Sequence, residues 1–193
     1  MTILVLGPSQ WLPGKEPKDL EPLRSQLPSA WTWPGSGGLR PLEVRVALAH
    51  LLSQRGAAAV VMEAEEPLHP WNSTAKFLEL VRKHMVDQYF VYWPFGAARP
   101  GLDVEVGFLL LQMGRGELPG DRVVVFYEDD GASRRAASLV YDTAGRMRFS
   151  SLEREGRRTR YYPDLVDFGA TTKPWKDSQE LLERVLAHAG VSD

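Results

Sequence analysis

Hydrophobic and polar positions along the chain form two kinds of segment. Short apolar runs rich in β-branched or aromatic residues and closed by Gly or Pro predict strands buried on both faces, while longer stretches with apolar residues at helical spacing predict helices. The first run, Ile3 to Leu6, is stopped by Gly7 and Pro8. Ala58 to Met62, ending at Glu63, is the second, Tyr89 to Trp93 before Pro94 the third, and Val123 to Tyr127 the fourth. Between them, Pro41 opens a helix in which Leu42, Val46, Ala49 and Leu52 recur until Gly56. After a loop over Pro67 to Trp71, Ser73 or Thr74 caps a second helix whose face carries Phe77, Leu78, Val81 and Met85. Val104 to Met113 is apolar nearly all round, which predicts a helix covered on most sides. Strands alternating with helices in this way predict an α/β fold, a flavodoxin-like doubly wound parallel sheet with helices on both faces.

Two stretches depart from that rhythm. Pro8 to Arg40 carries six prolines with Trp11, Trp31 and Trp33, leaving room for one short helix around Asp19 to Leu27. A long excursion of this composition predicts a lid or binding loop rather than disorder. Past Tyr127, Ser138 to Asp142 and Met147 to Phe149 predict a β-hairpin about the turn Thr143 to Arg146, with Thr159 to Tyr162 as a further strand. Asp177 then caps a final amphipathic helix bearing Leu181, Leu182, Val185 and Leu186. The 193 residues are read as a single α/β domain, 1–135 forming the core and 136–193 the appended hairpin and helix.

Composition narrows the partners. With 23 Lys and Arg against 25 Asp and Glu, the net charge of -2 supplies no global field for nucleic acid or an anionic membrane. The six arginines between Arg146 and Arg160, set against Glu153 and Glu155, read as the exposed face of a hairpin, so nucleic acid is not the expected partner. The absence of cysteine removes disulfides, thiolate metal sites and cysteine nucleophiles together. His50, His69, His84 and His188 show no ligand spacing, so no metal is expected. The opening MTILVLGPSQW has no basic segment, and nowhere do eighteen apolar residues run together; neither signal peptide nor membrane span is expected, and a cytoplasmic location is. A homo-oligomer stays open.

In an open parallel sheet, ligands bind beyond the carboxyl ends of the strands where strand order reverses, here between the first and third strands. The loops that matter are Gly7-Pro8-Ser9 and the stretch from Trp93 through Phe95, Arg99 and Gly101 into Asp103 and Glu105. Glu105 stands out: a carboxylate in the first turn of the most apolar helix, where the dipole favours its charge and burial opposes it. The alternative is a carboxylate that merely complements the dipole. Ser9 and Arg99 are candidates for an anionic group, against a plain surface turn. Trp11, Trp93 and Phe95 are candidates for stacking on a base, against ordinary core packing. Glu63 reads equally as a partner for Arg45 and as a site residue. Asp103, two positions from Glu105, points about 200° away if both are helical and reads as a cap or solvent-facing residue.

The stretch through Gly107 resembles the nucleoside 2-deoxyribosyltransferase family and its nucleotide N-hydrolase relatives, whose pattern DxGTxxExG places an essential glutamate early in the helix after the third strand. Gly101, Glu105 and Gly107 match it, while Arg99 stands where that family has aspartate and Leu102 where it has threonine. Leu6-Gly7-Pro8 is similar to the family's first loop. The segment Val44 to Glu63, with Arg45, Arg55-Gly56 and Val60-Val61-Met62-Glu63, followed by Tyr92-Trp93-Pro94, resembles TIR-related proteins of flavodoxin-like architecture, many of which use a glutamate to cleave NAD. Together these resemblances imply a hydrolase or transferase acting at the N-glycosidic bond of a nucleoside, nucleotide or NAD, with Glu105 catalytic, NAD a substrate and no cofactor. The alternative they leave open is a nucleotide-binding or TIR-like interaction module without chemistry.

Overall fold

The computed structural model describes residues 1–14, 19–29, 31, 39–65, 70–83, 85–94, 96–98, 100–128, 165 and 168–190. Strands β1 (Thr2–Leu6), β3 (Ala58–Val60), β4 (Gln88–Trp93), β6 (Val123–Glu128) and β7 (Thr171–Trp175) form one sheet in the order β3-β1-β4-β6-β7. Every pairing in it is parallel. Central strands alternate between two cores, as period-two geometry requires. Leu4, Leu6, Tyr89, Val91, Trp93, Val123, Val125 and Tyr127 face α4 (Pro70–Arg82) and α5 (Pro100–Gly114). Ile3, Val5, Phe90, Tyr92, Val124 and Phe126 face α2 (Pro41–Gln54) and α6 (Ser178–Ala189).

Local chemistry sets the helix ends. Pro41 opens α2, where the Glu43 carboxylate accepts the Arg40 backbone N–H at 2.8 Å and the Arg40 guanidinium at 2.8 Å. Asp177 caps α6 by accepting the Glu180 N–H at 2.8 Å, and Gly190 closes it in the left-handed region at φ 66°.

Several boundaries differ from the sequence expectation. The strand expected over Ala58 to Met62 stops at Val60 and is not buried on both faces: it is the sheet edge, with Ala58 exposed and Ala59 and Val60 half-buried, and α3 (Met62–Glu65) takes the chain on. Helix α4 starts at Pro70, ahead of the expected Ser or Thr cap. Helix α5 starts at Pro100, four residues before the expected start, so Glu105 belongs to its second turn. β7 is a strand that periodicity does not reveal, because Lys173 and Pro174 interrupt it; at a sheet edge both are tolerated. The hairpin and further strand expected between Ser138 and Tyr162 lie outside the described residues.

The described parts of the excursion after β1 are folded down. β2 (Gln10–Trp11) pairs antiparallel with β5 (Ala97–Ala98), and the Leu12 N–H donates to the Gly96 carbonyl at 2.8 Å. The Trp11 indole N–H donates to the Leu39 carbonyl at 2.6 Å, and the rings of Trp11 and Trp31 pack on the core beneath α2 and α6 together with Leu20 and Leu27. Short helix α1 (Glu21–Arg24) buries Leu23 in the same core. Trp33 lies outside the described residues.

Candidate active site

With all five strands parallel, the loops after β1, β3 and β4 share one edge, and β1 lies between β3 and β4. Gly7 follows β1 at that edge, and Arg45 reaches it from the second turn of α2. Arg45 is wholly buried, and both terminal guanidinium nitrogens donate to the Glu63 carboxylate, at 3.0 and 2.9 Å. This bidentate arrangement is the strong form of the pairing. A further, weaker contact runs from Arg45 to the exposed Ser9 hydroxyl at 3.4 Å. Glu63 keeps 22% of its side chain exposed, so the ion pair has a dry side and a wet side. Because β3 ends at Val60, Glu63 sits in the helical turn of α3, from which it pairs with Arg45.

The passage of Arg45 depends on Gly7. A Cβ there would stand 2.8 Å from Arg45 Cδ, closer than atoms tolerate, and 3.0 Å from the Tyr92 carbonyl oxygen, a tight approach to fixed backbone. Gly7→Ala is therefore expected to destabilise the fold by about 1–3 kcal/mol and to loosen the Arg45–Glu63 pair, read by urea unfolding. An alanine variant as stable as the parent would show that the guanidinium has another path.

Glu105 is 8% exposed and lies on the buried side of α5 with Leu102, Val106 and Leu109, whereas Val104 is 57% exposed. The sequence expectation sets Glu105 towards the crevice with Val104, Val106 and Phe108 in the packing directions; Val106 is buried and Phe108 half-buried, but Val104 is exposed and Glu105 takes a buried position on the helix. One carboxyl oxygen, Oε2, is buried and lacks a hydrogen-bond partner. Burial pushes the Glu105 carboxyl up from 4.5 to about 8; Arg45 pulls it down and Glu63 pushes it further up. Burial therefore favours the protonated form at neutral pH, and the group is electrostatically coupled to the ion pair. The second turn of α5 gives it little of the dipole stabilisation expected of a first-turn carboxylate.

The remaining candidates separate. Gly7 and Pro8 are buried at the edge, and Ser9 is exposed beside Arg45. Trp93 is 2% exposed and packs among Leu102 and Val106, so core packing and not base stacking is its role in this conformation. Gly101 is exposed in the first turn of α5, and neither it nor Gly107 has any neighbour within 4 Å of where a Cβ would stand; packing does not require glycine at either position. Asp103 falls within α5. Phe95 and Arg99 lie outside the described residues. The periodicity does not single out Tyr92, yet this wholly buried residue borders Gly7, and burial, with Glu128 second, holds its phenol well above the usual tyrosine value. Its signal was the polar tip on a strand residue facing the α2 side.

Among the described residues no group of three or more His, Asp or Glu side chains could hold a metal ion, and no helix is long and apolar enough to cross a membrane. No protein-family model, curated protein or solved structure matches the chain.

Proposed function

We propose that the chain cleaves or exchanges an N-glycosidic bond of a nucleoside, nucleotide or NAD, with Glu105 as the reacting group. The observation carrying this reading is a buried carboxyl with an unpaired oxygen, pushed up to about 8 by burial and electrostatically coupled to the Arg45–Glu63 ion pair at the carboxyl edge of the sheet. In the neutral form Glu105 donates its proton to the departing base nitrogen as the C1'–N bond breaks and its electron pair leaves with the base. The carboxylate so formed then faces the positive C1' centre. Water adds its oxygen to C1' and returns a proton to Glu105; a second base in place of water gives exchange. A cationic base such as nicotinamide leaves as a neutral molecule without protonation; on that substrate Glu105 reacts in its ionised form, stabilising the positive C1' centre and then taking the proton of the attacking water. Arg45 and Glu63 position and tune the acid.

Release of free base from a panel of nucleosides, nucleotides and NAD, followed chromatographically, tests this. Glu105→Gln is expected to lower release by about 10²–10⁴-fold while leaving the fold intact. Release at the parental rate in that variant would overturn the mechanism. The second reading, a nucleotide-binding or TIR-like module without chemistry, is favoured by the closure of Arg45 on Glu63, and binding of a panel member without release would select it.

A further inference from the structure

Helix α5 has no charged face to give to water. From Val106 to Gly114 it carries no ionisable side chain and a single polar one, Gln112. Leu102, Val106, Leu109 and Met113 meet the core, yet Val104 and Leu111 on the outer side are 57% and 47% exposed, and Phe108 is only half-buried. These three stand at i, i+4 and i+7, one stripe along most of the helix. A helix apolar all round is normally covered all round, and this one is not. The stripe borders an open groove between α5 and α4, lined by Leu78, Arg82, Phe108, Gln112 and Glu117. Leu78 on the α4 side is itself 37% exposed, so the apolar surface continues across the groove.

We propose that this face binds a second copy of the chain about a two-fold axis running along the groove. The charges at its rim name the occupant. The Phe77 and Phe108 rings meet edge-on at 5.7 Å and set the level of α4 against α5. Further along, Arg82 ends α4, and Glu117, whose N–H donates to the Gln112 carbonyl at 2.9 Å, folds back beside the end of α5. Opposite charges thus stand on the two sides of the groove at about the same level. Both residues are exposed, and neither side chain has an ion-pair partner among the described residues. A two-fold axis lying in an interface carries each residue to the other side in the second copy. Arg82 then meets the partner's Glu117, and Glu117 the partner's Arg82, while Leu78 and Phe108 exchange in the same way. The net charge of -2 opposes such a pairing little. Helices of 13 and 15 residues lying side by side present a face of roughly 20 by 20 Å, about 400 Å² in plan, at the low end of specific interfaces. The dimer is therefore reversible, forming at micromolar concentration. Glu105 lies on the opposite, buried side of α5, so this surface does not depend on any chemistry there.

Sedimentation velocity of the intact chain over a wide concentration range tests the proposal. The mass is expected to rise from 21.6 kDa towards twice that value across the micromolar range. Arg82→Glu and Glu117→Lys are each expected to weaken the dimer roughly tenfold, because either change sets two like-charged pairs across the axis. Combined in one chain they exchange the signs, and the dimer is expected to return to within about threefold of the parent. Leu78→Lys is expected to weaken it at least about tenfold by placing a charge against the apolar surface. All three positions are exposed, so the variants are expected to melt with the parent, and weaker association would not reflect unfolding. A monomer at every concentration, a dimer that none of these substitutions weakens, or a double charge exchange no tighter than the single ones would each overturn the proposal.

Discussion

Glu105→Gln is expected to make the protein more stable, and by an amount that depends on pH. The Glu105 carboxyl is held at about 8 in the folded chain against an ordinary value of 4.5. Between those values the unfolded chain has released this proton and the folded chain has not. The unfolded state then binds fewer protons, so stability falls as pH rises. The loss is absent below about 4.5, accumulates through the window and levels off above about 8, where it reaches roughly 3–5 kcal/mol. Glutamine cannot ionise and escapes it. Urea unfolding of parent and variant from acid to mildly alkaline pH should give curves that coincide near pH 4 and diverge towards pH 8. Parallel curves would mean that Glu105 ionises normally and is solvated. A gain in stability together with a loss of base release would mark Glu105 as a group retained at a cost to the fold.

Arg45→Met is expected to cost about 3–5 kcal/mol, because it strips a buried ion pair of one partner while keeping most of the side-chain volume. The 22% exposure of Glu63 lets water reach the stranded carboxylate and places the loss towards the lower end. The variant carries a second signature. Arg45 lowers the Glu105 value and Glu63 raises it, so Arg45→Met should push the Glu105 titration further up and Glu63→Gln should bring it down. Carboxyl NMR of selectively labelled glutamate reads both directions. Movement in the same direction in the two variants would show that a change in packing, and not charge, is being felt. Restoring stability with Arg45→Met and Glu63→Met together would confirm that the cost lies in the unpaired charge.

The fold was legible where burial dictates sequence. β1, β4 and β6 are central strands whose two faces both meet apolar cores, and Ile3 to Leu6, Tyr89 to Trp93 and Val123 to Tyr127 are accordingly unbroken apolar runs. Edges obey a weaker rule. β7 tolerates Lys173 and Pro174, and β3 needs only three residues, so neither its length nor the presence of β7 could be read from apolar content. The pair β2 and β5 is too short to leave any periodicity. At the candidate site, Glu105 was legible as an acid in an apolar helix, and the pairing of Arg45 with Glu63 as one of two readings. The side of α5 that faces inward was not, because a helix apolar all round carries no amphipathic stripe to orient it. Trp93 illustrates the converse: an aromatic at a strand end reads both as a stacking platform and as ordinary core, and the packing above it decides.

The ribbon of β2 and β5 stitches the chain leaving β1 to the chain leaving β4 through Gln10 opposite Ala98 and Trp11 opposite Ala97. The two lips of the crevice are thereby one mechanical piece. Neither can swing aside alone without breaking the ribbon, and a two-residue ribbon has little strength of its own. The segments that leave β1 and β4 at the carboxyl edge therefore move together while the ribbon is paired and are released together when it parts.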